Sequence, residues 1–415
     1  MKNETVYFFS VVLLSTSAFA GSSYSVPELV ERSLQRSDQI RSAQARMESL
    51  NFVADQAGAW SNPEVTFELG QKRVSSDQGL LLGIEASQPL SLFGKRSLRK
   101  EVARLESDQA KIQISQTRLE VVLNIVRLAY EYRSAKEKAR FLEERNKRFE
   151  LIRSYLSSHY FVSPQKKAEK ELVENRLRSL TSELFLSQGQ YHGTYNDLDL
   201  YAGFAESPPP DITAPWLKGR QPLNESEWVA KVREKNLSLA QEALSIQTAE
   251  KEKRLAQKDK WADFSLSAFY NEERAGQTER FIGGGLSMPL PLWNRNAAAV
   301  KSRGKEKEAG QYARTFIEHK LTAELKRLLS ETEAARRVIA QYPETLLNDL
   351  EKQISTTEKE FRKGRIDLLT FLETEAEFSE SYERALEAQT LYAAKIADLF
   401  TLSGEDYLPQ RLAEF

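Results

Sequence analysis

The stretch Phe281-Ile-Gly-Gly-Gly-Leu-Ser-Met-Pro-Leu-Pro-Leu-Trp-Asn-Arg295 joins two patterns with different periods. A short, alternating, glycine-rich run ends in a proline pair, and a very long charged helical pattern follows at once. The same event occurs about 200 residues earlier, in Gly79-Leu-Leu-Leu-Gly-Ile-Glu-Ala-Ser-Gln-Pro-Leu-Ser-Leu-Phe-Gly-Lys-Arg96. Pro89-Leu90 matches Pro289-Leu290, Leu92 matches Leu292, Phe93 matches Trp293, and Lys95 matches Arg295. Such self-similarity divides the chain into a duplicated unit, and it outranks a division by length alone.

The 415 residues carry 59 basic and 60 acidic side chains, a net charge of −1, so no imbalance points to a polyanion and no nucleic-acid partner is expected. Hydrophobic content of 40% with 29% charge suits long amphipathic helices with solvated faces. Cysteine is absent, which removes disulfides, thiolate metal sites, cysteine nucleophiles and cysteine-linked lipid anchors together. Residues 1–20 read as a cleaved export signal: Lys2, an apolar run from Val6 to Leu14, and Ala18-Phe19-Ala20 before Gly21. The apolar run is shorter than the ~20 residues of a spanning helix.

The first repeat is expected over 21–202. Apolar residues near three- and four-residue spacing predict a helix over 27–59, which Trp60-Ser-Asn-Pro63 stops. Strands are predicted at about 64–73 and 80–90, because Val65, Phe67 and Leu69 alternate, as do Leu80, Leu82, Ile84 and Ala86. Helices are predicted at about 97–159 and 163–201. The first lacks proline and glycine and would be roughly 90 Å long, too long for a compact domain. Its segment Leu119 to Tyr130 is apolar around most of its circumference and should meet more than one neighbour. Ser163-Pro164 reads as an N-cap followed by first-turn proline, after a tight turn at Tyr160-Phe161. Residues 203–224, with Ser207-Pro-Pro-Pro-Asp211, form a proline-rich equatorial linker. The second repeat, 225–415, restates the order, with strands at about 263–271 and 280–289 and long helices at about 297–362 and 367–402. The first of these helices should bend near Tyr342-Pro343.

Four strands cannot close a barrel, and an exposed sheet edge invites aggregation. Three copies would supply about 12 strands, each of about 9–11 residues, enough for a tilted membrane barrel with one lipid face and one lumen face. The helices would extend from it as a hollow tube. A soluble periplasmic coiled-coil adaptor or scaffold with two surface hairpins is the alternative of a different class.

The order of elements, the duplication and the export signal resemble TolC-type outer-membrane efflux proteins over essentially the whole mature chain. Gly283-Gly-Gly-Leu-Ser-Met-Pro-Leu-Pro-Leu-Trp-Asn-Arg295 is most similar to the heavy-metal, CzcC/CusC-like branch. Phe361-Arg-Lys-Gly-Arg-Ile-Asp-Leu-Leu-Thr-Phe-Leu-Glu373 resembles the family's periplasmic tip turn, and Ala394-Lys-Ile-Ala-Asp-Leu-Phe-Thr-Leu-Ser-Gly404 its final helix. The resemblance implies a mainly α fold with a small membrane β part. It implies a homotrimer with a 12-stranded barrel in outer-membrane lipid and a periplasmic α-helical barrel, in a Gram-negative cell. It also implies a periplasmic adaptor, an inner-membrane RND pump, and export of heavy-metal cations. Drug efflux or type I protein secretion through the same fold are the other cargo readings. The first tip turn, Ser158-His-Tyr-Phe-Val-Ser163, departs from the pattern by lacking a glycine like Gly364.

No enzyme signature is present. Gly94-Lys95 resembles the end of a phosphate-binding loop, but Pro89 occupies a required glycine position and Arg96 replaces Ser or Thr. His159, His192 and His319 lack paired ligand spacing, so no resident metal or cofactor is expected. In a threefold tube an inward acid becomes a ring of three, which selects cations. By resemblance to the family's acidic rings, Asp367 and Glu373 are the candidate gate; Asp367 reads equally as a helix N-cap, and Glu373 as an ordinary solvated position. Arg362, Lys363, Gly364 and Arg365, with Tyr160 and Phe161, are the candidate tip latch and adaptor contact. Pro89, Pro289 and Pro291 mark the strand-to-helix junctions, where proline should end ladder pairing.

Overall fold

The computed structural model describes residues 23–74, 77–158, 163–204, 210–220, 222–261, 263–275 and 277–415. The export signal and the turn at Tyr160-Phe161 lie outside these residues.

A short strand β1 (Ser23–Ser25) leads into α1 (Val26–Arg36) and α2 (Asp38–Ala57). The predicted single helix over 27–59 is thus two. Ser37 ends one and caps the next, its hydroxyl accepting from the Ile40 N–H at 3.3 Å. The hairpin β2 (Glu64–Val74) and β3 (Asp77–Leu90) follows, then α3 (Lys95–Ser158) and α4 (Pro164–Ala202). Ser163 caps α4 through the Lys166 N–H, and Gly203 closes it at φ +58. The linker holds β4 (Asp211–Thr213), which pairs with β1 in parallel.

The second half runs α5 (Glu225–Lys235), α6 (Leu237–Lys258), β5 (Phe264–Ala275), β6 (Gln277–Ser287), α7 (Ala297–Ile339), α8 (Thr345–Arg362) and α9 (Leu368–Ser403). Asn236 separates α5 from α6 as Ser37 separates α1 from α2, capping Leu239 while its amide donates to the Leu402 carbonyl. The expected bend at Tyr342-Pro343 is a full break between α7 and α8, because the proline ring and its missing N–H cannot continue the ladder. A short α10 (Leu408–Arg411) ends the helical series.

The long helices pack lengthwise. In α3, 64 residues span about 95 Å. Its apolar segment meets several neighbours at once: Val122, Leu123, Val126 and Tyr130 share one core with Val26 and Leu29 of α1, Leu198 of α4, Leu325 and Leu328 of α7, and Ile396 and Phe400 of α9. The described linker residues 210–220 belt this core. Tyr130 donates to the Pro215 carbonyl at 2.8 Å, Arg133 to the Ala214 carbonyl at 2.6 Å, and Gln389 closes both ends of Leu217's peptide.

At one end of the rods the four long strands form an open antiparallel sheet, β2-β3-β5-β6. Pro89 corrects the sequence expectation: it does not end the ladder but lies opposite Ser265 within β3–β5. The last β2–β3 pair is Glu64–Ser87, so beyond it the missing proline N–H faces no partner strand. Pro289 and Pro291 do lie past the end of β6 at Ser287.

Candidate functional site

The sheet separates chemistry by face. Register sets Phe67 opposite Ile84, Ile84 opposite Tyr270 and Tyr270 opposite Ile282, and two residues along, Val65, Ala86, Ala268 and Gly284 align. Successive side chains alternate, so these share one face with Leu69, Leu82, Leu266 and Leu286. Phe67 is 72% and Leu286 70% exposed, and no described residue covers this apolar band. The other face carries Thr66, Glu68, Glu85, Ser87, Ser267, Asn271 and Glu273 together with Phe269, and β6 adds Glu279, Phe281, Gly283, Gly285 and Ser287. The Phe269 ring lies over Gly283, where an added Cβ would come within 2.5 Å of it and displace the ring.

At the junction the chain turns from strand to rod through Phe93 and Gly94, both left-handed at φ +58 and +70. Lys95, 2% exposed, then fastens the two halves together. Its ammonium donates to the Trp261 carbonyl and to Asp263 at 3.0 Å, with Asp259 at 3.7 Å. Ser91 donates to Asp263 at 3.1 Å, and Arg99 stands 3.6 Å from it. The turning is done not by the prolines but by Phe93-Gly94 and, in the second repeat, by Asn296 at φ +57.

At the far end, α8 and α9 meet in the turn Lys363-Gly-Arg-Ile-Asp367. Gly364, at φ +71, lets its own N–H reach the Phe361 carbonyl and the Arg365 N–H reach that of Glu360, the paired bonds of a Schellman cap. Asp367 caps α9, accepting from the Thr370 N–H at 2.8 Å, and hydrogen bonding from the Thr370 hydroxyl, then from this N–H, holds its carboxyl below the ordinary aspartate range. Glu373 is exposed and has no hydrogen-bond or ion-pair partner among the described residues. The turn's cations pair locally: Lys363 and Arg365 with Glu360 at 3.0 and 2.8 Å, Arg362 with Glu358 at 3.5 Å. Arg365 and Lys363 depress the Glu360 carboxyl in consequence.

Behind the turn, Phe361 and Phe371 stack at 5.3 Å over Phe149, Leu177 and Leu180. Two turns further lies a buried pair that sequence reading missed, Arg145 of α3 with Glu375 of α9. Its signal was present: Glu375 interrupts the alternating three- and four-residue apolar spacing of Leu368, Phe371, Tyr382 and Leu386. Among the described residues no group of His, Asp and Glu is arranged to hold a metal ion, and no helix is long and apolar enough to cross a membrane.

A four-stranded sheet with one bare apolar face, mounted on rods of this length in two repeats, is a fold shared with solved outer membrane channels. The family model described as outer membrane efflux protein matches residues 29–152 and 228–405, and the chain belongs to that family, one of transport channels. Among solved structures it is similar to CusC, with a TM-score of 0.72 and 14% identity over 92% of each chain. It is similar to the Campylobacter jejuni CmeC outer membrane channel, with a TM-score of 0.72 and 12% identity over 97% of this chain and 94% of that one. The open-state Neisseria gonorrhoeae MtrE outer membrane channel gives a TM-score of 0.71 and 14% identity over 92% and 89%. A comparison with curated protein sequences returns no significant match.

Proposed function

We propose that three copies of this chain form the outer-membrane exit duct of a tripartite RND-type pump that expels heavy-metal cations. The observation that carries the duct is the bare apolar band on one face of a sheet whose two outer strands, β2 and β6, have outer edges with no partner strand among the described residues. Exposed apolar area of this extent has no place in water, and unpaired edges have no place in lipid. Three copies edge to edge remove both costs, giving 12 strands, within the known range for membrane barrels. The polar face then lines the lumen and the helices continue it as a tube toward an adaptor. A soluble scaffold would gain nothing from the apolar face.

The tip is the proposed gate and docking end, with Asp367 and Glu373 forming acidic rings and the Arg362 to Arg365 turn meeting the adaptor. The metal reading rests on the resemblance of Gly283 to Arg295 to the heavy-metal branch, with CusC among the structural relatives. The expected results are recovery in the outer-membrane fraction, a trimeric mass in detergent, and ion-conducting pores in planar bilayers. Loss of the gene should raise sensitivity to metal cations; raised sensitivity to dyes and detergents alone would instead assign drug efflux. A monomer recovered without detergent would overturn the duct.

A further inference from the structure

The seam that joins the two halves of the sheet is a template for the seam between copies. A shift of 201 residues carries β2 onto β5, Glu68 onto Phe269 and Leu69 onto Tyr270. A shift of 200 carries β3 onto β6, Gly83 onto Gly283 and Leu82 onto Ile282. Glu68 faces Gly83 and Phe269 faces Gly283, so the two hairpins share one register.

The internal seam is β3 against β5, with Ala86 opposite Ala268 and Ser87 opposite Ser267. Applying the same shifts turns it into β6 against the β2 of another copy. We propose that β6 of one copy pairs with β2 of the next with Leu286 opposite Phe67 and Ser287 opposite Thr66, and that Trp293 and Arg295 lock its base onto Trp60 and Asn62. The inference rests on the trimer reading and adds its register and its lock.

Three independent features agree with it. First, the shift sets apolar-face residues against apolar-face residues; a slip of one would bring Leu286 to the polar face beside Thr66 or Glu68. Second, within the chain Phe93 lies 6.1 Å from the Trp261 ring, and the counterparts of these two are Trp293, 93% exposed, and Trp60, 58% exposed. Third, Lys95 is satisfied by Trp261 and Asp263, whereas its counterpart Arg295 is exposed and has no partner among the described residues. The Trp60 carbonyl and the Asn62 side chain of a neighbouring copy are what the template offers it.

The two seams differ in charge. Asp263 becomes Asn62, Asp259 becomes Gly58 and Arg99 becomes Ala299, so between copies the ionic cluster keeps one cation, Arg295, and loses both carboxylates. A carboxylate at 62 would restore it.

The chain has no cysteine, which makes disulfide trapping direct. Within one copy β3 and β5 lie between β2 and β6, and a bond that joins two copies is told from one within a copy by the size of the species on the gel. Oxidised outer membranes carrying S287C with T66C should yield covalent trimer on denaturing gels, returning to monomer with reductant. S287C with E64C, or with E68C, places the sulfurs on diagonal neighbours and should give at least several-fold less. N62D should raise the temperature at which the trimer dissociates in detergent. A diagonal pair that cross-links better than S287C/T66C, or a native trimer in which none cross-links, overturns the register while leaving the trimer standing. Monomer in native detergent solution would instead remove the trimer reading itself.

Discussion

Arg145 of α3 and Glu375 of α9 form a two-pronged ion pair whose side chains are 3% and 1% exposed. The second prong measures 2.8 Å, and the Ser379 hydroxyl donates to the same carboxylate at 3.2 Å. Removing one partner leaves the other as an unpaired charge at a buried position. Glu375→Gln should therefore cost about 3–5 kcal/mol, the usual consequence of leaving one buried charge unpaired. The check is the denaturant midpoint of the purified protein. Arg145→Met with Glu375→Leu should recover most of the loss, because buried pairs contribute little beyond a packed apolar replacement. An unchanged midpoint for Glu375→Gln would show that the site rehydrates.

The tip turn depends on the backbone of Gly364 rather than on space around it. No atom lies within 4 Å of a Cβ built there, yet its φ of +71 is unfavourable for any residue that carries one. Gly364→Ala should cost about 1–2 kcal/mol of local stability. Amide exchange across Lys363 to Thr370 should quicken while the global midpoint stays nearly constant. Gly364→Asn, which tolerates the left-handed region better, should fall between the two. Uniformly quickened exchange along α8 and α9 would refute a local role.

How much of this molecule was legible follows from what each feature depends on. Period-two alternation at Val65-Thr-Phe-Glu-Leu69 and proline-free runs after Lys95 depend on single segments, and the fold shows strands and rods there. Strand order, the β3–β5 seam and the Lys95 cluster depend on residues some 170 apart meeting, and no local period records that. The Arg145–Glu375 pair was hidden for a subtler reason: a glutamate in an apolar stripe looks like an error until its partner helix is in place. Pro89 misled because proline's effect depends on whether a neighbouring strand is still present at that level.

The proposed gate separates from its bland alternative by choosing the right substitution. Asp367 certainly caps α9, so Asp367→Ala would disturb the helix and the charge together. Asp367→Asn keeps an oxygen for the Thr370 N–H and removes the charge alone. Combined with Glu373→Gln, it should weaken block by divalent cations in single-channel recordings. The pH dependence has a defined sign. The folded carboxyl titrates below its ordinary 3.8, so the cap's contribution is complete above that value and is lost as pH falls through the lower, folded one. In a Glu373→Gln background, Asp367's contribution to cation block should thus hold from pH 7 to pH 5 and decline only in strong acid. Unaltered block in the double variant would leave Asp367 a cap and nothing more.

Phe67 and Thr66 are adjacent on β2 but face opposite sides of the sheet, so one position apart they test which side meets lipid. An arginine on the lipid face near the middle of a membrane barrel costs about 2–4 kcal/mol, whereas one facing a water-filled lumen is solvated. Phe67→Arg should therefore sharply reduce the amount of assembled protein in the outer membrane. Thr66→Arg, opposite Glu85 on the polar face, should assemble normally and lower single-channel conductance for cations by adding positive charge to the lumen. Both yields are read from the same fractionation and the conductance from the same bilayer, so neither depends on a pump or a cargo. The reverse result, with Thr66→Arg excluded from the membrane and Phe67→Arg tolerated, would turn the sheet inside out. It would place the bare apolar band of Phe67, Leu69 and Leu286 in the channel, a surface no aqueous duct can use.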